Sequence, residues 1–417
     1  MMPESTRLEH CETLIVGAGI TGLTLARELL TRGARRIVIL EKEPAAGAHA
    51  SGRNSGVLHA GVYYNPGTLK ARFCLEGNRL LKEYCRRKGL TLHECGKVIV
   101  TKDEAEISGL MQLKKRADST GAEVSLIDDA QLARIEPYAA TFRVGLFSPN
   151  TAIVRPTEIL AALQSDLIES GQVSLRFGEG FEALVEERVV RTNLGRLRFE
   201  RLVNAAGAHA DRIARAFGLG QDYRILPFKG TYLKLRPERS DLVRGNIYPV
   251  PDLRNPFLGV HFTRGANGTV SIGPTAIPAL GREHYGVIAG IELEALEILG
   301  LEALLFASNP AFRSAALSEP AKLFRRTVYR QAKRMLPSLE LNDLEHSDKV
   351  GIRAQLVHWP ARTLATDFVL VRDERSLHIL NAISPAFTSS MAFARHLADQ
   401  LESEQGERPH AVPVRTT

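Results

Sequence analysis

Three glycines and one acid carry the spacing of a dinucleotide site. Gly17, Gly19 and Gly22 form a G-x-G-x-x-G pattern within TLIVGAGITG at 13–22, and Glu41 follows Gly22 by nineteen residues, near the end of RIVILEK. The first glycine permits a tight strand-to-helix turn, the second admits a pyrophosphate close to the backbone, and the third lets helix pack on strand. Unpaired N–H groups at the helix start, around Ile20 and Thr21, would then face the phosphates. A carboxylate at Glu41, with Lys42 beside it, suits a ribose with a free 2′-hydroxyl, whereas a 2′-phosphate would want arginine there. The pattern predicts FAD or NAD, not NADP, bound without a covalent link.

A second segment, SGRNSGVLHAGVYY at 51–64, is too polar and glycine-rich for a core strand. It resembles the pyrophosphate and flavin-ring loop of FAD oxidoreductases in the D-amino-acid oxidase superfamily. The resemblance selects FAD and sets Ser51, Asn54, Ser55 and Gly56 against it. A further glycine pair, Gly178 and Gly180 with Ala183, imitates another fingerprint. The residues after it alternate like a strand, however, and no helix opens there, so the expectation is a hairpin turn and a single dinucleotide, reduced directly by substrate.

The elements that must position these groups can be read coarsely. Leu69–Lys88 and Asp103–Thr120 read as helices, KVIVT at 97–101 as a strand, and Val173–Gly207 as successive strands followed by a helix from Ala208 to Phe217. Tyr223–Ile277 is rich in β-branched and aromatic residues with Pro and Gly punctuation, which predicts an antiparallel sheet. Gly290–Phe306 and Ala321–Leu336 read as helices, and a final helix runs to Leu401. The expected fold is α/β: a Rossmann-like FAD-binding domain with an inserted antiparallel-sheet substrate domain, D-amino-acid oxidase-like. The first domain would be discontinuous, from residues 1–80, 145–220 and 345–402. The second would take 81–144 and 221–344, leaving 403–417 as a flexible tail.

At 417 residues, 44% hydrophobic and 24% charged, the chain has the composition of a globular enzyme with a large core and two domains. MMPESTRLEHCE leads straight into the first strand without the pattern of a secretory signal, so a cytoplasmic protein is expected. No apolar run approaches a spanning helix. Cys11, Cys74, Cys85 and Cys95 show no C-x-x-C pair or metal-site spacing; the reading is reduced thiols and no metal. The formal charge of +7 would suit nucleic acid only if basic residues clustered with aromatics. The one cluster, Lys322, Arg325, Arg326, Arg330, Lys333 and Arg334, alternates with apolar residues as an amphipathic helix would. It fits a solvated face or peripheral contact with anionic membrane on the inner side of the cell membrane, and nucleic acid is not expected.

SGRNSGVLHAGVYYNPGTLKARFC at 51–74 resembles the signature of L-2-hydroxyglutarate dehydrogenases and oxidases. So do ECGKVIV at 94–100, PFKGTYLKLRPE at 227–238, GNIYPVPD at 245–252, PFLGVHFTRGANG at 256–268, GIRAQ at 351–355 and NAISPAFTSS at 381–390. The resemblance implies oxidation of a small-molecule 2-hydroxy acid, L-2-hydroxyglutarate, to 2-oxoglutarate, with electrons passing through FAD to a membrane quinone or another acceptor. That chemistry needs a proton acceptor for the hydroxyl and cations for two carboxylates. His59, in the flavin-ring loop, is the candidate base. Arg353 resembles the carboxylate-binding arginine of amino-acid oxidases, and its planar fork suits bidentate recognition. Lys229, Tyr232 and His261 are candidates for the distal carboxylate, with Tyr64 beside the substrate. The resemblance also sets Val185, Ala206 and Gly207 against FAD. Ser384, Pro385, Thr388 and Ser389 would open the last helix near the flavin N1 and O2 edge, Thr388 or Ser389 as its cap.

The chain departs from the family at Arg53, where histidine is common, and at Arg155, where an acid is. LVHWPARTLATDFVL at 356–370 lacks the expected glycine-centred turn. The alternatives are another FAD enzyme of this fold acting on glycerol 3-phosphate or an amino acid, and a non-enzymatic flavoprotein associated with membrane or nucleic acid.

Overall fold

The structure, a computed structural model, describes residues 8–251, 259–291 and 293–403. Asp252 of GNIYPVPD, residues 256–258 of the next motif and the tail from 404 lie outside the described residues. The contacts divide the chain into two compact units, one from residues up to 52, 157–225 and 354 onward, the other from 53–156 and 226–353.

The first unit is built on parallel strands. Glu9–Val16 pairs in parallel with Ile37–Glu41 on one side and Arg196–Asn204 on the other; Val173–Phe177 joins Ile37–Glu41, and Ser376–Asn381 joins Arg196–Asn204, also in parallel. Such strands, covered on both faces, read as unbroken apolar runs such as Ile37–Leu40. The helix Ile20–Thr31 begins at Gly19, and Thr24 Oγ1 reaches the Ser390 carbonyl of the final helix, Ala386–Glu402, at 3.3 Å. Gly178 and Gly180 do not make a hairpin. The strand before them, Val173–Phe177, and the strand after, Phe181–Glu186, stand at opposite ends of the sheet, the latter paired with Val189–Thr192. Alternation reveals a strand but not its partner. Instead of a glycine-centred turn after Val357–His358, Arg362 takes the left-handed conformation (φ 55°), with its guanidinium 3.7 Å from the Trp359 ring centroid.

The second unit holds a mainly antiparallel sheet in which Val270–Gly273, His261–Arg264, Asn246–Pro249, Lys97–Val100, Gly145–Ser148 and Ser125–Ile127 lie side by side; only Asn246–Pro249 with Lys97–Val100 is parallel. Val98 and Val100 enter a core with Val328 and Ala332 of the helix Arg325–Lys333, while Ile99 enters another with Leu110 and Leu113 of Glu104–Thr120. Both faces of this strand are therefore buried. The domain boundaries expected at 80, 145, 220 and 345 stand at 52, 156, 225 and 353 in the contact division. Val57–Leu58 pairs with Ala152–Val154, which also pairs with Leu92–His93, and this small sheet draws 53–80 and 145–156 into the second unit.

The helix read at Gly290–Phe306 is present as Ala295–Ser308, whereas the one read at Ala321–Leu336 breaks into pieces. Ala295–Ser308 ends at Asn309, whose side chain caps Pro310–Ser318 by accepting from the Phe312 N–H at 2.9 Å. Extended Phe324 separates the 3-10 turn Pro320–Leu323 from Arg325–Lys333. Most of the strongly exposed large apolar side chains of the described residues fall between Val287 and Phe324, with Leu293 and Leu296 among them. Two members of the basic cluster are already paired, Lys322 with Glu319 at 2.5 Å and Arg334 with Asp103 at 2.8 Å, whereas Arg326 and Arg330 face solvent. All four thiols are free. Among the described residues no single helix is long and apolar enough to cross a membrane.

Candidate functional site

In the first unit the glycines are shaped by backbone contact. Gly17 has φ 109°, and a Cβ there would lie 2.6 Å from the Ala205 carbonyl oxygen; one on Gly22 would lie 2.1 Å from the Gly17 carbonyl oxygen. Only hydrogen fits at either position. Glu41 is held under this turn, accepting from the Ala18 N–H at 2.9 Å and the Glu43 N–H at 3.0 Å. The Ile20 N–H, expected to face phosphate, donates to Ser51 Oγ at 2.9 Å, so Ser51 closes the helix start. Thr21 follows in the first turn. Ala206 and Gly207 form the turn after Arg196–Asn204, beside Gly17, and a Cβ on Gly207 would meet nothing within 4 Å.

The other predicted cofactor residues are scattered more widely. Lys42 pairs with Glu43 at 2.5 Å. Val185 is half-buried in Phe181–Glu186. Asn54, Ser55 and Gly56 belong to the second unit, where Asn54 Oδ1 accepts from the Gly56 N–H at 2.8 Å. Neither Thr388 nor Ser389 caps the last helix. The cap position is Pro385, and the Ser389 N–H already donates to the Pro385 carbonyl, which puts both residues inside the first turn, with Ser384 exposed before it. Ser389 Oγ is buried without a hydrogen-bond partner. The open backbone at Gly207, the tethered acid and this orphaned hydroxyl all belong to the first unit and fit a dinucleotide such as FAD.

The second unit gathers a different set. The His59 backbone is clamped, its carbonyl accepting from Asn78 Nδ2 at 3.0 Å and from the Cys74 thiol at 3.3 Å. Burial, with Lys97 and His261 nearby, pushes the His59 imidazole down to about 3. Lys97 is 1% exposed and its Nζ has no hydrogen-bond partner; it lies 4.3 Å from the Tyr63 ring centroid and 5.2 Å from that of Tyr248. Burial lowers its ammonium to about 7. His261 stacks on Tyr248 with centroids 4.0 Å apart, and its Nδ1 donates to the Gly259 carbonyl at 2.8 Å; burial takes it to about 4. Lys349 sits 5.2 Å from the Tyr232 ring centroid, and its ammonium is lowered by burial. Burial lowers Arg353 to about 10, opposed by the charge of neighbouring Tyr64, so it stays cationic at neutral pH.

His59, Tyr64, Tyr232, His261 and Arg353 were legible as candidates; Tyr63, Lys97, Tyr248 and Lys349 were missed. The available signal was a lysine opening the otherwise apolar run KVIV. Lys229 is committed elsewhere: its Nζ donates to the Gly286 carbonyl at 2.7 Å beside His284. Arg53 stacks over Tyr285 at 4.2 Å, and Arg155 is exposed. Lys97 and Lys349 form no ion pair with an aspartate or glutamate among the described residues. A buried and a half-buried cation without acidic partners leave positive charge that an anion could offset.

The sequence model of the FAD dependent oxidoreductase family, DAO, matches residues 12–400. The chain is 35% identical over 395 residues to L-2-hydroxyglutarate dehydrogenase of Escherichia coli K12, covering 94% of this chain and 93% of that protein. With the mitochondrial L-2-hydroxyglutarate dehydrogenase of Homo sapiens it shares 35% over 412 residues, covering 94% and 88%. Among solved structures, L-alpha-glycerophosphate oxidase from Mycoplasma pneumoniae with FAD bound aligns with a TM-score of 0.74 at 20% identity, covering 97% of this chain and 98% of that one. Glycine oxidase from Bacillus cereus aligns at 0.69 and 17%, covering 95% and 96%. The structural matches establish the fold, and the extended sequence identity establishes more: this chain belongs to the FAD dependent oxidoreductase family and, within it, to the L-2-hydroxyglutarate dehydrogenases.

Proposed function

We propose that the protein oxidises L-2-hydroxyglutarate to 2-oxoglutarate, its electrons passing on to a membrane quinone or another acceptor. The observation that carries this reading is a set of cations, Lys97 buried and Lys349 and Arg353 half-buried, which matches a small dianion. FAD, when bound, supplies the acceptor for the C2 hydrogen and its electron pair. Gly17, Gly19, Gly22, Glu41, Ser51, Ala206, Gly207 and Ser389 would hold it. Arg353 grips the C1 carboxylate, and Tyr64 lies beside it. His59 takes the hydroxyl proton. Burial first, and the nearby Lys97 charge second, keep its imidazole neutral, and an arriving dianion offsets that charge and raises its basicity. His261, neutral and anchored by Gly259, and Tyr232 line the same cluster.

The exposed apolar side chains between Val287 and Phe324, next in sequence to solvent-facing Arg326 and Arg330, support peripheral contact with an anionic membrane, where a quinone would be met. Anaerobic addition of L-2-hydroxyglutarate to the purified FAD-loaded protein tests the reaction. The flavin absorbance should bleach within a turnover, faster than with the D enantiomer, glycerol 3-phosphate or amino acids. An unchanged spectrum would refute the reading.

A further inference from the structure

We propose that Lys97, together with the Tyr63 hydroxyl, forms the subsite for the carboxylate remote from the reacting carbon and thereby selects dicarboxylates over monocarboxylates. The inference rests on the proposed oxidation of a 2-hydroxy dicarboxylate, with Arg353 at the C1 end.

Two donors lie side by side with nothing to donate to. Lys97 is 1% exposed, its ammonium carries no hydrogen-bond partner, and the hydroxyl of Tyr63, over whose ring it sits, is likewise buried and without one. Native folds leave few such groups, and each calls for a ligand or a reason. A lysine at this depth has no route by which to extend its head to solvent, unlike the usual lysine on a strand. The tyrosine rings stabilise a cation through their faces, and this contact consumes none of its three N–H donors. The ammonium is thus fixed in place with its donors free, as a subsite for an anion requires.

The other cations are less available for this end. Lys229 is bound to the Gly286 carbonyl. His261 is neutral, and its Nδ1–H is taken by Gly259. Lys349 is partly exposed and lies against Tyr232. Lys97 also has the stiffest support. Val98 and Val100 point into one core and Ile99 into another, and the strand is paired with Asn246–Pro249 on one edge and Gly145–Ser148 on the other. A monocarboxylate of the same length would leave both donors desolvated and unanswered, and that is the cost on which discrimination rests.

The test compares L-2-hydroxyglutarate with L-2-hydroxypentanoate, which has the same five carbons and lacks the second carboxylate. In the FAD-loaded full chain the ratio of their kcat/KM values should fall about 10- to 100-fold in Lys97→Met, the equivalent of one charge-assisted hydrogen bond, and by a smaller factor in Tyr63→Phe. Most of the change should lie in KM. Equal losses on both substrates would overturn the assignment, since a structural role does not distinguish them. Calorimetric titration with glutarate and pentanoate separates this proposal from the reaction itself. Glutarate preference that depends on Lys97 upholds the subsite even if L-2-hydroxyglutarate is not oxidised, and no preference in the parent protein sinks it. If Lys97→Met does not retain FAD, Tyr63→Phe, which removes a single oxygen, decides by the same ratio.

Discussion

The Lys97 Nζ stands 4.3 Å from the centroid of the Tyr63 ring, buried and without a hydrogen-bond partner. Its protonation should govern affinity. Burial brings Lys97 to about 7, His59 to about 3 and His261 to about 4, pushes Cys74 and Tyr248 up to about 12, and raises Tyr63 well above the usual phenol value. Substrate binds the protonated lysine, so kcat/KM should fall as pH rises through about 7, approaching tenfold per unit. No acid limb should appear between pH 5 and 7, because both imidazoles are already neutral there. Arg353, cationic up to about 10, contributes nothing to this limb. A kcat/KM profile that is level from pH 6 to 9 would contradict the assignment, and Lys97→Arg should remove the limb.

Arg353→Lys keeps the charge at the C1 end but loses the planar fork. Loss of one charge-assisted bond of the pair costs about 1.5 to 3 kcal/mol, or about ten- to a hundred-fold in kcat/KM. Arg353→Met should be worse, since the anion would enter without a partner. FAD content should match the parent in both, as measured by the ratio of flavin to protein absorbance. Normal flavin reduction by L-2-hydroxyglutarate in Arg353→Met would move the C1 clamp elsewhere, with Lys349 next in line.

Gly22→Ala places a methyl where the Gly17 carbonyl stands, 2.1 Å away. The backbone must shift, at about 1 to 3 kcal/mol, and the turn opens. FAD retained through gel filtration should drop below half of the parent's. Gly300→Ala is the contrast: a Cβ there meets nothing within 4 Å, inside the helix Ala295–Ser308. It should add about 1 kcal/mol of stability in a denaturant titration without altering FAD content. Full FAD retention by Gly22→Ala would show that the turn tolerates what its geometry forbids.

The membrane reading makes two separable demands. Leu293→Ser with Leu296→Ser removes exposed apolar area, and Arg326→Gln with Arg330→Gln removes charge. Each pair should reduce co-sedimentation with phosphatidylglycerol vesicles several-fold, the second pair only at low salt. Turnover with a soluble dye should persist in both. Vesicle binding equal to the parent's in all variants would leave the apolar surface without this role.

The sequence made the cofactor turn legible because each glycine there answers a local demand: Gly17 must take a positive φ and Gly22 must let a helix touch a strand. Arg353 and His59 were legible through their motifs. Lys97 was not, because KVIV reads as an ordinary buried strand, and whether its first residue ends in solvent or among tyrosines depends on Tyr63 and Tyr248, which come from distant segments. The same limit produced the hairpin expected at Gly178. Local alternation identified Phe181–Glu186 as a strand, but its neighbour was chosen by the sheet. The cap assigned to Ser389 failed for a smaller reason, since Pro385 and Ala386 had already begun the turn.

The chain's passage between its two units, at 52, 156, 225 and 353, has a consequence for its birth on the ribosome. Glu9 finds its neighbour Leu197 only after 188 further residues have been made, and the helix Ile20–Thr31 packs on one that begins at Ala386. The helix that opens at the glycine turn is thus made long before the helix it packs on. Contacts so far apart in sequence make for slow assembly. Capture of FAD should therefore wait for the helix Ala386–Glu402, and a chain truncated before Ala386 should accumulate as a flavin-free species, however intact its fingerprint.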